Sequence, residues 1–158
     1  LRDIVMHRAG FIAPRAEALL YAADRSHHIA TLVRPALERG DIVLQDRYLD
    51  SSVAYQGAGR VLDPDEVREL SLWATERLMP QLTVLLDVPA SIAKDRQAQT
   101  ERAYDRLEAE AEDFHTRVRE SYLTLAAAEP ERFLVIDGRR PIEEIHQLIL
   151  EKVSDLVG

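Results

Sequence analysis

Apolar positions along the chain follow two periods in turn. Between residues 16 and 39, Ala18, Ala22, Ile29, Val33 and Leu37 recur at three-to-four-residue spacings or multiples of them, which predicts a helix. Pro35 predicts a kink or a restart within it, and Gly40 suits its C-terminus. Ile42-Val43-Leu44 is a short apolar run closed by Gln45 and Asp46, and it predicts a buried strand. Residues 47–62 hold Ser51, Ser52, Gly57 and Gly59 and predict a loop or short helical turns. Asp63-Pro64-Asp65-Glu66 predicts a helix start. Asp63 is the N-cap, Pro64 takes the first position and Glu66 completes a capping box. That helix is expected to reach about Leu78, ahead of Pro80, and Leu82 to Asp87 then predict a second buried strand. Pro89 opens a helical stretch to about Gln97, and the polar residues 98–106 predict a mobile segment. Residues 107–128 predict a helix and Phe133 to Asp137 a third strand. Pro141 starts a last helix with Ile142, Ile145, Leu148, Ile149, Val153 and Leu156 on one face.

Strands separated by helices imply parallel pairing with right-handed crossovers. The expected fold is α/β, a three-layer sandwich with a parallel sheet flanked by helices, in a single domain over residues 1–158. Three strands make a thin sheet for that class, which suggests missing elements. Ligands of such sheets bind beyond the carboxyl ends of the strands, where Asp46, Asp87 and Asp137 stand.

Composition narrows the function. Lys and Arg number 20 against 28 Asp and Glu, a formal charge of −8, which argues against a nucleic-acid binder with a net basic face. The absence of Cys excludes a disulfide scaffold, a thiolate zinc site and a cysteine nucleophile, and it fits a reducing, cytoplasmic setting. No run approaches the roughly 20 apolar residues of a membrane span. The first residue is Leu1, with no signal peptide after it, so the chain is expected to begin inside a longer protein.

Several groups could carry chemistry. Arg47, in Asp46-Arg47-Tyr48, can grip a phosphate bidentately, with Asp46 fixing it or holding magnesium through water. A local ion pair is the plainer alternative. Ser52 and Gln56 are four apart, so one helical turn puts both on one face, and a Gln amide suits the edge of a base. A polar loop with a buried Tyr55 is the plainer alternative. Tyr21 and Arg25 share a helix face and could stack on and hydrogen-bond a nucleobase, or form an ordinary surface pair. Arg96, Arg102 and Arg106 could close over a transferring phosphate, or belong to a solvated surface. His27 and His28 are adjacent, diverge on a helix and read as surface. No residue set is assigned to a metal.

Together these fragments resemble the bacterial thymidylate kinases. Leu20-Tyr21-Ala22-Ala23-Asp24-Arg25 is similar to that family's thymine-reading helix, with Tyr21 where the family usually has Phe. The run from Asp46 to Gly57 resembles its central signature at twelve consecutive positions. Arg34 to Leu37, Gly40 to Leu44, Val84 to Asp87, Asp105 to Glu108 and Asp113 to His115 also match.

The resemblance implies a P-loop nucleoside monophosphate kinase fold and ATP-dependent conversion of dTMP to dTDP, with Mg2+, in a homodimer. It implies that Arg47 binds the acceptor phosphate and Asp46 supports it and the magnesium shell. Tyr21 would stack on thymine, Arg25 would donate to its exocyclic oxygen, and Ser52 and Gln56 would read the rest of the edge. Tyr55 would sit against the deoxyribose. Arg102 and Arg106 would act from a lid at about residues 97–107, and Arg139 would lie near the adenine of ATP.

The family's G-x-x-x-x-G-K-[ST] phosphate loop has no counterpart in these 158 residues. An omitted N-terminal segment is the expectation. The alternative is a non-catalytic remnant that binds dTMP without the ATP phosphate loop. A third possibility is a related kinase for another nucleotide.

Overall fold

The computed structural model describes residues 11–60, 62–89, 92 and 111–158. The first helix, α1, spans Pro14–His28, with Pro14 in its first turn, where a missing N–H costs nothing. A π-helical turn, Ile29–Val33, follows, and α2 restarts at Arg34–Glu38. Pro35 sits in the first turn of α2, so the break falls where its absent N–H and its ring disrupt the ladder. Gly40 then takes a φ of 82°, a left-handed value that favours glycine.

The predicted strand at Ile42 to Leu44 does not form. The segment has no regular secondary structure, and Ile42 and Leu44 are 73% and 98% exposed. A strand needs a neighbouring backbone to take its hydrogen bonds, and among the described residues none lies beside it. Asp46 accordingly follows an irregular segment and not a strand end.

Residues 49–59, within the stretch expected to form a loop or short helical turns, form compact helical turns. Helix α3 is Leu49–Ser52 and runs into a second π-helical turn, Val53–Gly59. Helix α4 is Pro64–Ala74, and the Asp63 carboxylate accepts from the Asp65 N–H at 2.9 Å. Glu66 instead takes Arg15 of α1 at 3.2 Å, which ties the two helices together. The helix stops at Ala74, short of Leu78. The Thr75 hydroxyl donates back to the Ser71 carbonyl at 3.0 Å, and Glu76 and Arg77 turn left-handed with φ of 51° and 55°.

Strand β1, Thr83–Asp87, pairs in parallel with β2, Phe133–Asp137, in the register Thr83 to Phe133 through Asp87 to Asp137. Helix α5, Glu112–Ala128, lies between them in sequence, and α6, Ile142–Val157, follows β2. The α/β class and the parallel sheet therefore hold, with two strands among the described residues. β1 is only half-buried, unlike the expectation, and the apolar face of α6 stays open, with Ile142 79% exposed. Most of the helical stretch expected from Pro89 to Gln97, all but residues 89 and 92, lies outside the described residues, as do the mobile segment at 98–106 and the start of the helix at 107.

The core packs helices against each other. Ala54, Phe114 and Val118 are buried together, with Tyr21, Tyr55 and Tyr122 against them. Gly59 makes this approach possible, because a Cβ there would fall 2.7 Å from the Phe114 ring. At the amino end of the sheet, the buried Asp50 carboxylate takes Arg132 Nη1 at 2.8 Å and Nη2 at 2.7 Å. Arg132 also donates to Glu129 at 2.8 Å and to the Thr83 hydroxyl at 2.7 Å. This network joins α3 to the starts of both strands.

Candidate functional site

The side chains that could carry chemistry converge where α1, α3, the second π-helical turn and α5 meet. Arg47 enters this region with a φ of 62°, and the Gln45 side-chain amide donates to its carbonyl at 3.1 Å. A left-handed arginine stores about 1–3 kcal/mol of strain, so the surrounding contacts hold it there. Its guanidinium lies 4.8 Å over the centre of the Tyr55 ring. Tyr55 in turn meets Phe114 and Tyr122 edge-on, at ring distances of 5.9 and 6.4 Å. The Ser51 and Tyr122 hydroxyls share a hydrogen bond of 2.6 Å, and burial pushes the Tyr122 phenol up to about 12.

Arg25 reaches the same region from α1. Its Nη2 donates to the Ser52 hydroxyl at 3.0 Å and to the Tyr48 carbonyl at 3.3 Å, and its plane lies 5.7 Å from the Tyr48 ring centre. Its Nη1 is buried and meets no acceptor among the described residues. Burial lowers the Arg25 pKa from its ordinary value, which still leaves a cation at neutral pH. Tyr48 is anchored by its own hydroxyl, which donates to the Leu78 carbonyl at 2.8 Å.

Two helical turns back on α1, Glu17 is 0% exposed. Its carboxylate accepts from Gln56 Nε2 at 3.0 Å and from Arg60 Nε at 3.4 Å. Arg60 also lies 5.1 Å over the Phe114 ring.

The residues singled out from the sequence thus separate into groups. Tyr21, Arg25, Arg47, Ser52, Tyr55 and Gln56 are brought together around the Ala54, Phe114 and Val118 cluster. Asp46 is exposed beside them. Arg139 stands at the carboxyl end of β2, where it grips Asp137 at 2.7 and 2.8 Å and holds that carboxyl well below the usual range. Asp87, at the same end of β1, is gripped by Arg119 at 2.6 and 2.8 Å. Arg96, Arg102 and Arg106 lie outside the described residues.

Glu17, Asp50 and Tyr122 emerge only from the structure. A signal for Glu17 was present, since residues 17, 21 and 25 fall on one face of α1. Its acidity pointed instead to the solvent side. Among the described residues no three His, Asp or Glu side chains cluster to hold a metal, and no helix is long and apolar enough to cross a membrane.

The sequence is similar to those of known proteins. The family model described as thymidylate kinase matches residues 1–149. A protein of Leifsonia xyli subsp. xyli named thymidylate kinase is 70% identical over 145 residues, covering 92% of this chain and 69% of its own length. One of Clavibacter michiganensis subsp. michiganensis with the same name is 63% identical over 158 residues, covering 100% and 75%. One of Bifidobacterium longum is 49% identical over 160 residues, covering 99% and 76%. The non-catalytic alternative gains no support from relatives that carry the kinase name. With its arginines, tyrosines and signature turn gathered in one place and the match running nearly end to end, the chain belongs to the thymidylate kinase family.

Proposed function

We propose that the α1, α3 and α5 junction is the dTMP site of a thymidylate kinase that makes dTDP with ATP as donor. Phosphoryl transfer asks the protein mainly for alignment and positive charge. Arg47 binds the acceptor phosphate, with Asp46 beside it. Tyr21 stacks on thymine, Tyr55 sits against the deoxyribose, and Ser52 and Gln56 meet the base edge. Arg102 and Arg106 approach the transferring group, and Arg139, its plane steadied by Asp137, lies near the adenine of ATP.

The observation that carries this reading is the buried, unpartnered Nη1 of Arg25. A buried cationic N–H without an acceptor is costly, and an exocyclic carbonyl oxygen of a pyrimidine would satisfy it. ATP supplies the phosphoryl group and Mg2+ the countercharge. Among the described residues, the exposed Asp46 carboxylate would hold Mg2+ through water beside the substrate phosphates. We place the enzyme in the cytoplasm as a homodimer, a state supported by exposed Leu19 and Trp73 on the linked helices α1 and α4.

The test is dTMP binding by calorimetry. Arg25→Ala should weaken binding about tenfold to a hundredfold, the usual worth of hydrogen bonds to a charged group. Unchanged affinity in a folded variant would sink the assignment.

A further inference from the structure

We infer that Glu17 is a positioning residue that fixes which way round the Gln56 amide faces, and so which base edge the site accepts. This rests on the proposed reading of Gln56 as a base contact. Glu17 is 0% exposed, and a buried carboxylate persists when donors surround it. Gln56 Nε2 at 3.0 Å and Arg60 Nε at 3.4 Å are such donors. An ionised carboxylate accepts and never donates. The Gln56 amide must therefore turn its nitrogen to Glu17, and its Oε1 is left facing elsewhere. Gln56 is itself buried within the second π-helical turn, and Glu17 is the acceptor its Nε2 meets there.

The fixed Oε1 is an acceptor. It complements a pyrimidine whose ring N3 carries a hydrogen, as in thymine, and it opposes the lone pair on N3 of cytosine. A free glutamine would serve either base by flipping. The stripe of residues 17, 21 and 25 on α1 then combines an orienting carboxylate, an aromatic face and a cation on one side of one helix.

Glu17→Gln tests this, because an amide at position 17 can present oxygen or nitrogen to Gln56. The experiment measures dTMP and dCMP affinities by calorimetry, and kcat/KM for both, in the wild type and the variant. The expected result is a wild-type preference for dTMP that drops about tenfold in Glu17→Gln, the equivalent of one oriented hydrogen bond. An undiminished preference in a variant that still melts cooperatively overturns the inference and leaves the site reading intact. A wild type that does not prefer dTMP overturns both. Should Glu17→Gln not fold, the wild-type Gln56 side-chain amide decides by NMR, its signal identified by its loss in Gln56→Met. Slow solvent exchange of one Nε2 proton supports the lock, and fast exchange of both overturns it.

Discussion

Arg47 shows how one residue can work against the fold that holds it. Its φ of 62° is a glycine conformation occupied by an arginine. Arg47→Gly should therefore raise stability by about 1 kcal/mol in chemical denaturation while removing the guanidinium over Tyr55. Arg47→Ala should keep the strain. Both should lower turnover at least a hundredfold with the fold retained. A glycine variant less stable than wild type would show that the Tyr55 contact outweighs the strain. At this scale the sequence disclosed most of the site, because Arg47, Ser52, Tyr55 and Gln56 sit in one contiguous run. Glu17 stayed hidden because a glutamate among helix-periodic residues reads as solvent-facing, and its partners Gln56 and Arg60 lie about forty residues away.

Among elements, what could be read locally was read well. The Asp63 cap, the restart at Pro35 and the strand at Phe133 follow from neighbouring residues and formed where expected. The strand at Ile42 did not, because pairing is a property of two backbones and the apolar run describes one. The end of α4 was missed for a related reason. Thr75 turns back onto its own helix and leaves Glu76 and Arg77 left-handed, where the apolar pattern continues to Leu78. The junction of α3 with the sheet depends on Asp50 and Arg132, 82 residues apart. Asp50→Ala strands a buried guanidinium and should cost about 3–5 kcal/mol, read as a lower denaturation midpoint. A loss under 1 kcal/mol would show that Glu129 and Thr83 suffice to hold Arg132.

Across the whole molecule, Tyr122 gives stability a pH signature. Its folded pKa of about 12 lies above the ordinary phenol value near 10. The folded state therefore keeps a proton that the unfolded state releases between those values. The Tyr122 contribution is fully present below pH 10 and is lost as pH rises from about 10 to 12, by at most about 1.4 kcal/mol per unit. Denaturation midpoints across that window should fall less steeply in Tyr122→Phe than in the wild type. Equal slopes would show that burial leaves this phenol's proton affinity unchanged.

The two arginine clamps at the carboxyl ends of the strands have a consequence for encounter. The chain carries a formal charge of −8, a field that slows the arrival of polyanions. Asp87 and Asp137 would add to it at the end of the sheet where ligands of such folds approach. Arg119 and Arg139 cancel each carboxylate within hydrogen-bond distance, so that end is close to electrically neutral at short range. A phosphate arriving there meets neither Asp87 nor Asp137 as an uncompensated negative charge.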